Sequence, residues 1–353
     1  MLLKRMQRLP GFGALSERQE RILARVVDLY VETAGPVSSQ AVSRSARLDL
    51  SSATLRNEMA ELEDQGLLSQ PHTSSGRVPT AQGFRYYLDH LVRPRSLPFS
   101  EKESLRAYSD LGAMTGQESL RETSRVLSVL SHCAGVVVLP RLEHAVLRSL
   151  HFMPLRHHRL LAVLITASGR VEQRVLPDRG SLTPAELSQV SNCLQPLARG
   201  RTLLELRDEL DRQLQADRDA CDRILVEALT LSRRLLEDDP ALGWYINGQS
   251  NILDQPEFSD LEAVKRLFQA LEEKSLMIRL VDEAIQAEGP QVILGDERRL
   301  PALKDTALVM DRYLSEGADH GCVGVIGPLR MNYARVIPLV QYAAGVITEF
   351  LKG

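Results

Sequence analysis

The chain has 353 residues, 44% of them hydrophobic and 25% charged, with a formal net charge of −3. This is the composition of a globular chain long enough for two or three domains, and its slight acidity excludes a protein that coats nucleic acid. No apolar run approaches the roughly 20 residues that span a bilayer. The first 15 residues carry Lys4, Arg5 and Arg8 but not the apolar stretch of a signal peptide. A cytoplasmic protein with no membrane partner is expected. Cys133, Cys193, Cys221 and Cys322 lie far apart without a C-x-x-C pair, so buried free thiols are expected in place of zinc or a disulfide framework. The adjacent pair His157-His158 sits in a turn, and neither a metal nor a cofactor is implied.

Taken in order, residues 1–14 read as a flexible lead. Ser16-Glu17-Arg18-Gln19 is a capping box opening a helix with the stripe Ile22, Val26, Leu29, Tyr30 and a stop at Gly35. A short second helix follows Pro36-Val37-Ser38, with Ala41, Val42 and Ala46 facing inward. Ser51 or Ser52 caps a third, whose apolar side is Leu55, Met59 and Leu62 and which ends at Gly66. At about 100° per residue its opposite side holds Ala53, Arg56, Asn57, Ala60 and Glu61. Two of these are small, and arginine and asparagine can bond guanine and adenine edges bidentately. A short strand, the polar loop His72-Thr73-Ser74-Ser75-Gly76-Arg77 between Pro71 and Pro79, and a return strand come next. Three helices and such a loop predict a winged helix-turn-helix over residues 1–93. Those residues hold 12 Lys/Arg against 10 Asp/Glu, a surplus that the acidic remainder of the chain reverses.

Thr80 caps a helix predicted to run from Ala81 to Val92, its Phe84, Tyr87, Leu88 and Leu91 at core spacing, and 93–98 is a proline-broken linker. Amphipathic helices are predicted over 100–113 and 119–131, then a buried strand at Gly135–Pro140. An antiparallel meander follows over 147–155, 159–166 and 170–176, and helices over 183–197, 202–214 and 216–237. The remainder alternates: a strand and turn at 244–248, helices over 258–271 and 275–288, strands at 291–294, 306–313 and 321–326, and a last helix over 333–351. Whether the meander or the C-terminal strands pair with the strand at Gly135 is open.

Several stretches resemble the heat-inducible transcription repressor HrcA family. They are Val37-Ser38-Ser39, Ser52 to Met59, the long run Gln70 to Thr80, Gly83-Phe84-Arg85-Tyr86-Tyr87, Ser250 to Phe258 and Gly324 to Met331. Asn247 departs from the glycine expected before Gly248. The resemblance implies an α+β chain: a winged helix, a GAF-like domain from 98–142 and 243–353, and an inserted dimerisation domain over 143–242. It also implies a homodimeric repressor of chaperone operons on an inverted-repeat CIRCE-type DNA operator, assisted by the chaperonin GroEL. The expected DNA contacts are Ser52, Ala53, Thr54, Arg56, Asn57 and Ala60 on the third helix. His72, Thr73, Ser74, Ser75 and Arg77 are expected on the wing, with Ser38 and Ser39 at the start of the second helix. For Arg77 a pairing with Glu63 or Asp64 competes with the DNA contact.

An enzyme is not expected. The run Gly321-Cys322-Val323-Gly324-Val325-Ile326-Gly327 lacks the G-x-G-x-x-G spacing, and strand packing accounts for its glycines. A regulator that binds a small molecule in its GAF-like domain is the alternative.

Overall fold

In the computed structural model, residues 15–45, 50–72, 75–107, 116–143, 145–178, 183–216, 243–258, 260–297, 303–315 and 320–352 are described, with 226, 230–232, 234 and 235. Local chemistry starts each N-terminal helix. The capping box opens α1 (Glu17–Thr33), the Gln19 amide donating to the Ser16 hydroxyl and the Ser16 amide to the Gln19 side chain. Its left-handed terminus is Ala34, one residue before the expected glycine. Ser38 caps α2 (Ser39–Ser45), and Ser51 caps α3 (Ser52–Asp64). Leu55, Met59 and Leu62 are buried against α1 and its neighbours as the stripe predicted. Ala46 lies outside the described residues.

Strands β1 (Leu68–Ser69) and β2 (Val78–Pro79) pair antiparallel. Val37 adds a third edge, exchanging two backbone hydrogen bonds of 2.9 Å with Arg77. Contact is so close that a Cβ on Gly76 would stand 2.4 Å from the Val37 carbonyl, which no side chain tolerates. Thr80 caps α4 (Ala81–Tyr86). The predicted single helix to Val92 is corrected here: residues Tyr87–Leu91 form a π-helical turn closed by the Val92 amide on the Tyr87 carbonyl. Tertiary contacts favour it, since the Tyr87 hydroxyl reaches Asp28 and His90 stacks on Tyr86.

Beyond the linker come α5 (Phe99–Arg106), α6 (Gly116–Ser131) and β3 (Ala134–Val138). The meander is as predicted, with β4 (Leu147–Leu155), β5 (Arg159–Thr166) and β6 (Val171–Pro177) in antiparallel order. Helices α7 (Pro184–Ala198) and α8 (Leu203–Ala216) follow, α7 opened by a Thr183–Glu186 capping box. One face of this sheet buries Leu150, Phe152, Leu160, Ala162, Leu164 and Leu176 beneath Leu187, Val190, Leu194 and Leu206 of the helices. Most of the predicted 216–237 helix, and the end of the predicted 100–113 helix, fall outside the described residues.

The chain then returns through β7 (Trp244–Asn247), α9 (Gln249–Leu253), α10 (Leu261–Glu272), α11 (Lys274–Gln286), β8 (Gln291–Leu294), β9 (Thr306–Leu314), β10 (His320–Pro328) and α12 (Tyr333–Lys352). The short α9 has no counterpart in the sequence reading, being too brief to show a period. The pairing left open for β3 is decided: it lies between β7 and β10 in a wholly antiparallel sheet of order β7-β3-β10-β9-β8. Val137, Val309, Val323 and Val325 pack under α6 and α12 on one face. Val136, Val138, Leu308, Met310 and Cys322 pack under α10 and α11 on the other. Burial on both faces explains why β3 and β10 are apolar runs without alternation. Strand packing also accounts for Gly321, where a Cβ would lie 2.1 Å from the Tyr313 ring.

Helix α12 contains a 19-residue segment long and apolar enough to cross a membrane by composition, contrary to the expectation of no such run. Here Leu339, Val340, Ala343 and Ile347 are buried in the sheet core, as in the central helix of a globular fold.

Asp311 on β9 is 6% exposed and shares a sheet face with Val309 and Tyr313. Burial pushes its carboxyl up to about 6, against the weaker pull of the Arg312 amide and guanidinium. A raised carboxyl stabilises the fold when protonated: the contribution is complete below the unfolded pKa of about 4 and is lost as pH rises through about 6. Asp311→Asn is therefore expected to gain on the order of 1–3 kcal/mol near neutral pH and little near pH ~4. Denaturant midpoints of both proteins at the two pH values check this, and a gain that is independent of pH would contradict it.

Candidate nucleic-acid interface

The side of α3 opposite its buried stripe is open. Ser52, Ala53, Arg56 and Asn57 are exposed, Thr54 and Ala60 partly so, and the Thr54 hydroxyl is tied to that of Ser51 at 2.9 Å. Arg56 has no ion-pair partner among the described residues. Three of the helix's acidic residues are occupied elsewhere. Glu58 accepts from Arg18 at 3.1 Å, Glu61 from the Gln19 amide group at 2.9 Å, and Glu63 from Arg77 Nε at 2.8 Å. The first two contacts hold α3 on α1, and the Arg18 and Arg77 pairs place cations on Glu58 and Glu63, which lessens the repulsion of a phosphate backbone by those two carboxylates. Arg18, Gln19, Glu58 and Glu61 were missed in the sequence because partners 40 and 42 positions apart leave no local pattern. Exposed Arg44, in the last turn of α2, was also missed.

The hairpin places its expected contacts unevenly. His72 is exposed at the tip, while Thr73 and Ser74 lie outside the described residues. The Ser75 hydroxyl turns back into the loop, accepting from the His72 amide at 3.0 Å and donating to its carbonyl at 2.7 Å. Arg77 has the partner foreseen as its competing role: paired with Glu63 and only 14% exposed, it braces the hairpin against α3. The Ser38 hydroxyl caps α2, receiving the Ala41 amide at 3.1 Å, with Ser39 partly buried beside it. Behind this surface, burial and the Glu20 carboxylate push the Tyr86 hydroxyl up to about 12, keeping it a hydrogen-bond donor to Glu20.

A second exposed surface lies on the 143–242 segment. The outer face of its sheet aligns Met153, Leu161 and Val175 in one row, His151, Val163 and Gln173 in the next, then Ser149, Ile165 and Val171. Met153, Val171 and Val175 are each 45–49% exposed. An apolar face of this kind is usual at a protein–protein contact.

Over residues 117–337 the chain matches the family model described as the HrcA protein C-terminal domain. It is 38% identical over 340 residues to the heat-inducible transcription repressor HrcA of Geobacter sulfurreducens, covering 96% of this chain and 99% of that one. It is 38% identical to the Xanthomonas campestris protein of the same name over 94% of this chain and 95% of the relative. A crystal structure described as a hypothetical protein has a TM-score of 0.64 at 22% identity, across 96% of this chain and 99% of its own, a likeness of fold. The curated relatives are transcription repressors by name, a class in keeping with an open helix face beside a hairpin. The chain belongs to the heat-inducible transcription repressor HrcA family.

Proposed function

We propose that the protein is a heat-inducible transcription repressor that binds, as a homodimer, an inverted-repeat CIRCE-type operator of chaperone operons. Residues 1–93 act as a winged helix-turn-helix, 98–142 with 243–353 as a GAF-like domain, and 143–242 as the inserted dimerisation domain. The observation that carries the reading is α3 itself. Its apolar side is wholly buried, Glu58 and Glu61 are bonded to α1, and Arg56 and Asn57 are exposed on the open side. Ser52, Ala53, Thr54 and Ala60 let that side approach base edges, while Ser38, Ser39 and His72 serve the flanking phosphates, a role Thr73 and Ser74 are assigned from the sequence alone. Ser75 and Arg77 serve the wing chiefly by shaping it.

One winged helix reads too few base pairs to find a single genomic site, so two copies pair, and the exposed apolar face of 143–242 is the surface assigned to that pairing. The family resemblance supports GroEL as a partner, acting on folding and not on operator contacts. The alternative, a small-molecule regulator, has a specific feature in its favour: a polar cleft of about 670 Å³. It opens between α1 and the start of α12, not within the sheet domain.

Arg56→Ala is expected to lose roughly 1–3 kcal/mol on the operator and little on random duplex. Titration of both DNAs after footprinting the chaperonin promoter tests this. Equal losses on the two would reduce Arg56 to a phosphate contact.

A further inference from the structure

Residues 15–92 meet the core through a narrow joint, part aromatic and part ionic. Phe84 lies between Tyr30 and Tyr333, with ring centroids 6.1 and 6.2 Å away. Beside it, Arg85 Nε donates to the two Glu297 carboxylate oxygens at 2.9 and 3.0 Å. Its Nη2 donates to Glu297 at 2.7 Å and to the Val292 carbonyl at 2.9 Å. The remaining nitrogen, Nη1, is buried without an acceptor, and Asp89 Oδ1, 3.6 Å from it, is buried without a donor. Across the joint the polar cleft reaches in between Arg21, Asp28, His90 and Asn332. The linker at 93–96 is exposed, tied down where the Arg95 amide donates to the Ala334 carbonyl at 2.8 Å.

A joint that had only to hold would be served as well by apolar side chains, because desolvation offsets most of the attraction in a buried ion pair. What the planar guanidinium adds is direction: a forked donor on a carboxylate defines one angle. That angle is transmitted, since α4 follows directly on β2 and the Thr80 hydroxyl holds the Gly66 carbonyl at the end of α3. Asp89 sits in the π turn, an uncommon geometry frequent at functional positions.

We propose that the Arg85–Glu297 grip is a latch that sets the orientation of the DNA reader on the core, so that two readers in a dimer meet their half-sites at one spacing. Arg85 and Glu297 are positioning residues and touch no DNA; the inference rests on the DNA-reading assignment above.

The test uses the full-length parent and the double variant Arg85→Met/Glu297→Leu, which keeps the joint packed without charge. Each is titrated with three duplexes: the inverted repeat, the same repeat with its spacer lengthened by about 5 bp, half a helical turn, and a single half-site. Melting and solution mass are recorded alongside. The parent is expected to favour the native spacing by about tenfold or more. The variant is expected to stay folded and dimeric, keep its half-site affinity, and discriminate spacings by about twofold or less. Should the double variant fail to fold, Glu297→Gln, which removes the charge and keeps an acceptor, is expected to relax the spacing preference in the same direction. A folded variant that discriminates as the parent does overturns the latch. A parent that binds the inverted repeat no better than a half-site overturns instead the assignment on which the latch rests.

Discussion

Glutamate in place of Val163 is expected to leave the insert folded and lower affinity for the paired operator by about 100- to 10,000-fold. Val163 lies mid-strand on the outer face of β5, flanked by His151 and Gln173, so a carboxylate there stays hydrated in the single chain. In the proposed dimer the same carboxylate would be buried against a second apolar sheet face, which is strongly unfavourable without a partner. Losing the dimer separates the readers, and the second half-site is then bound from bulk concentration and not from a tethered one. Solution mass and titrations on full and half operators are the measurements. A monomer that keeps full operator affinity, or a dimer that is unchanged, would remove the insert from the contact.

Mild heating extends this expectation. If residues 143–242 are an insert joined to the core at two points, as proposed, they are a target for heat, because one or two kcal/mol shifts the active fraction by roughly 5–30-fold. Dimer mass and operator binding are expected to fall together, and GroEL to restore both. Operator loss from an intact, folded dimer would overturn this account and favour a ligand switch or a change in reader orientation.

The second large effect is on stability. Phe84→Ala is expected to destabilise the protein by about 3–5 kcal/mol. Phe84 is 1% exposed and joins Tyr30 of α1 to Tyr333 of α12, so the cavity would lie in the apolar cluster that runs from reader to core. Tyr333 cannot follow it easily, because its hydroxyl is held on the Leu329 carbonyl at 2.7 Å. Denaturant midpoints, with separate probes on reader and core, give the size of the loss. A shift equivalent to less than about 1 kcal/mol would mean that the joint collapses around the gap.

Residues close together in sequence determined much of this protein. Ser16, Ser51 and Thr80 start their helices through hydrogen bonds three residues long. The Leu55, Met59, Leu62 stripe selects which side of α3 is buried, and so which side carries Arg56 and Asn57. Turns at Arg156-His157-His158 and Ser168-Gly169 closed the meander. Each is a local period or cap, and such signals survive without knowledge of the rest of the chain.

Only the tertiary structure decided what depended on distant partners. The neighbours of β3, β7 and β10, lie more than 100 residues further along the chain, and no pattern within an apolar run names its pairing strand. Arg77 could be read as a DNA contact or a brace until Glu63 was placed beside it. The π turn at Tyr87–Leu91 follows helix-forming residues, and contacts to α1, not propensity, shape it. Arg85 was a residue in a family motif without a role; its partner Glu297 lies 212 positions away. A side chain's reach is a few ångströms in space, and over such separations that space is defined by the packed fold alone.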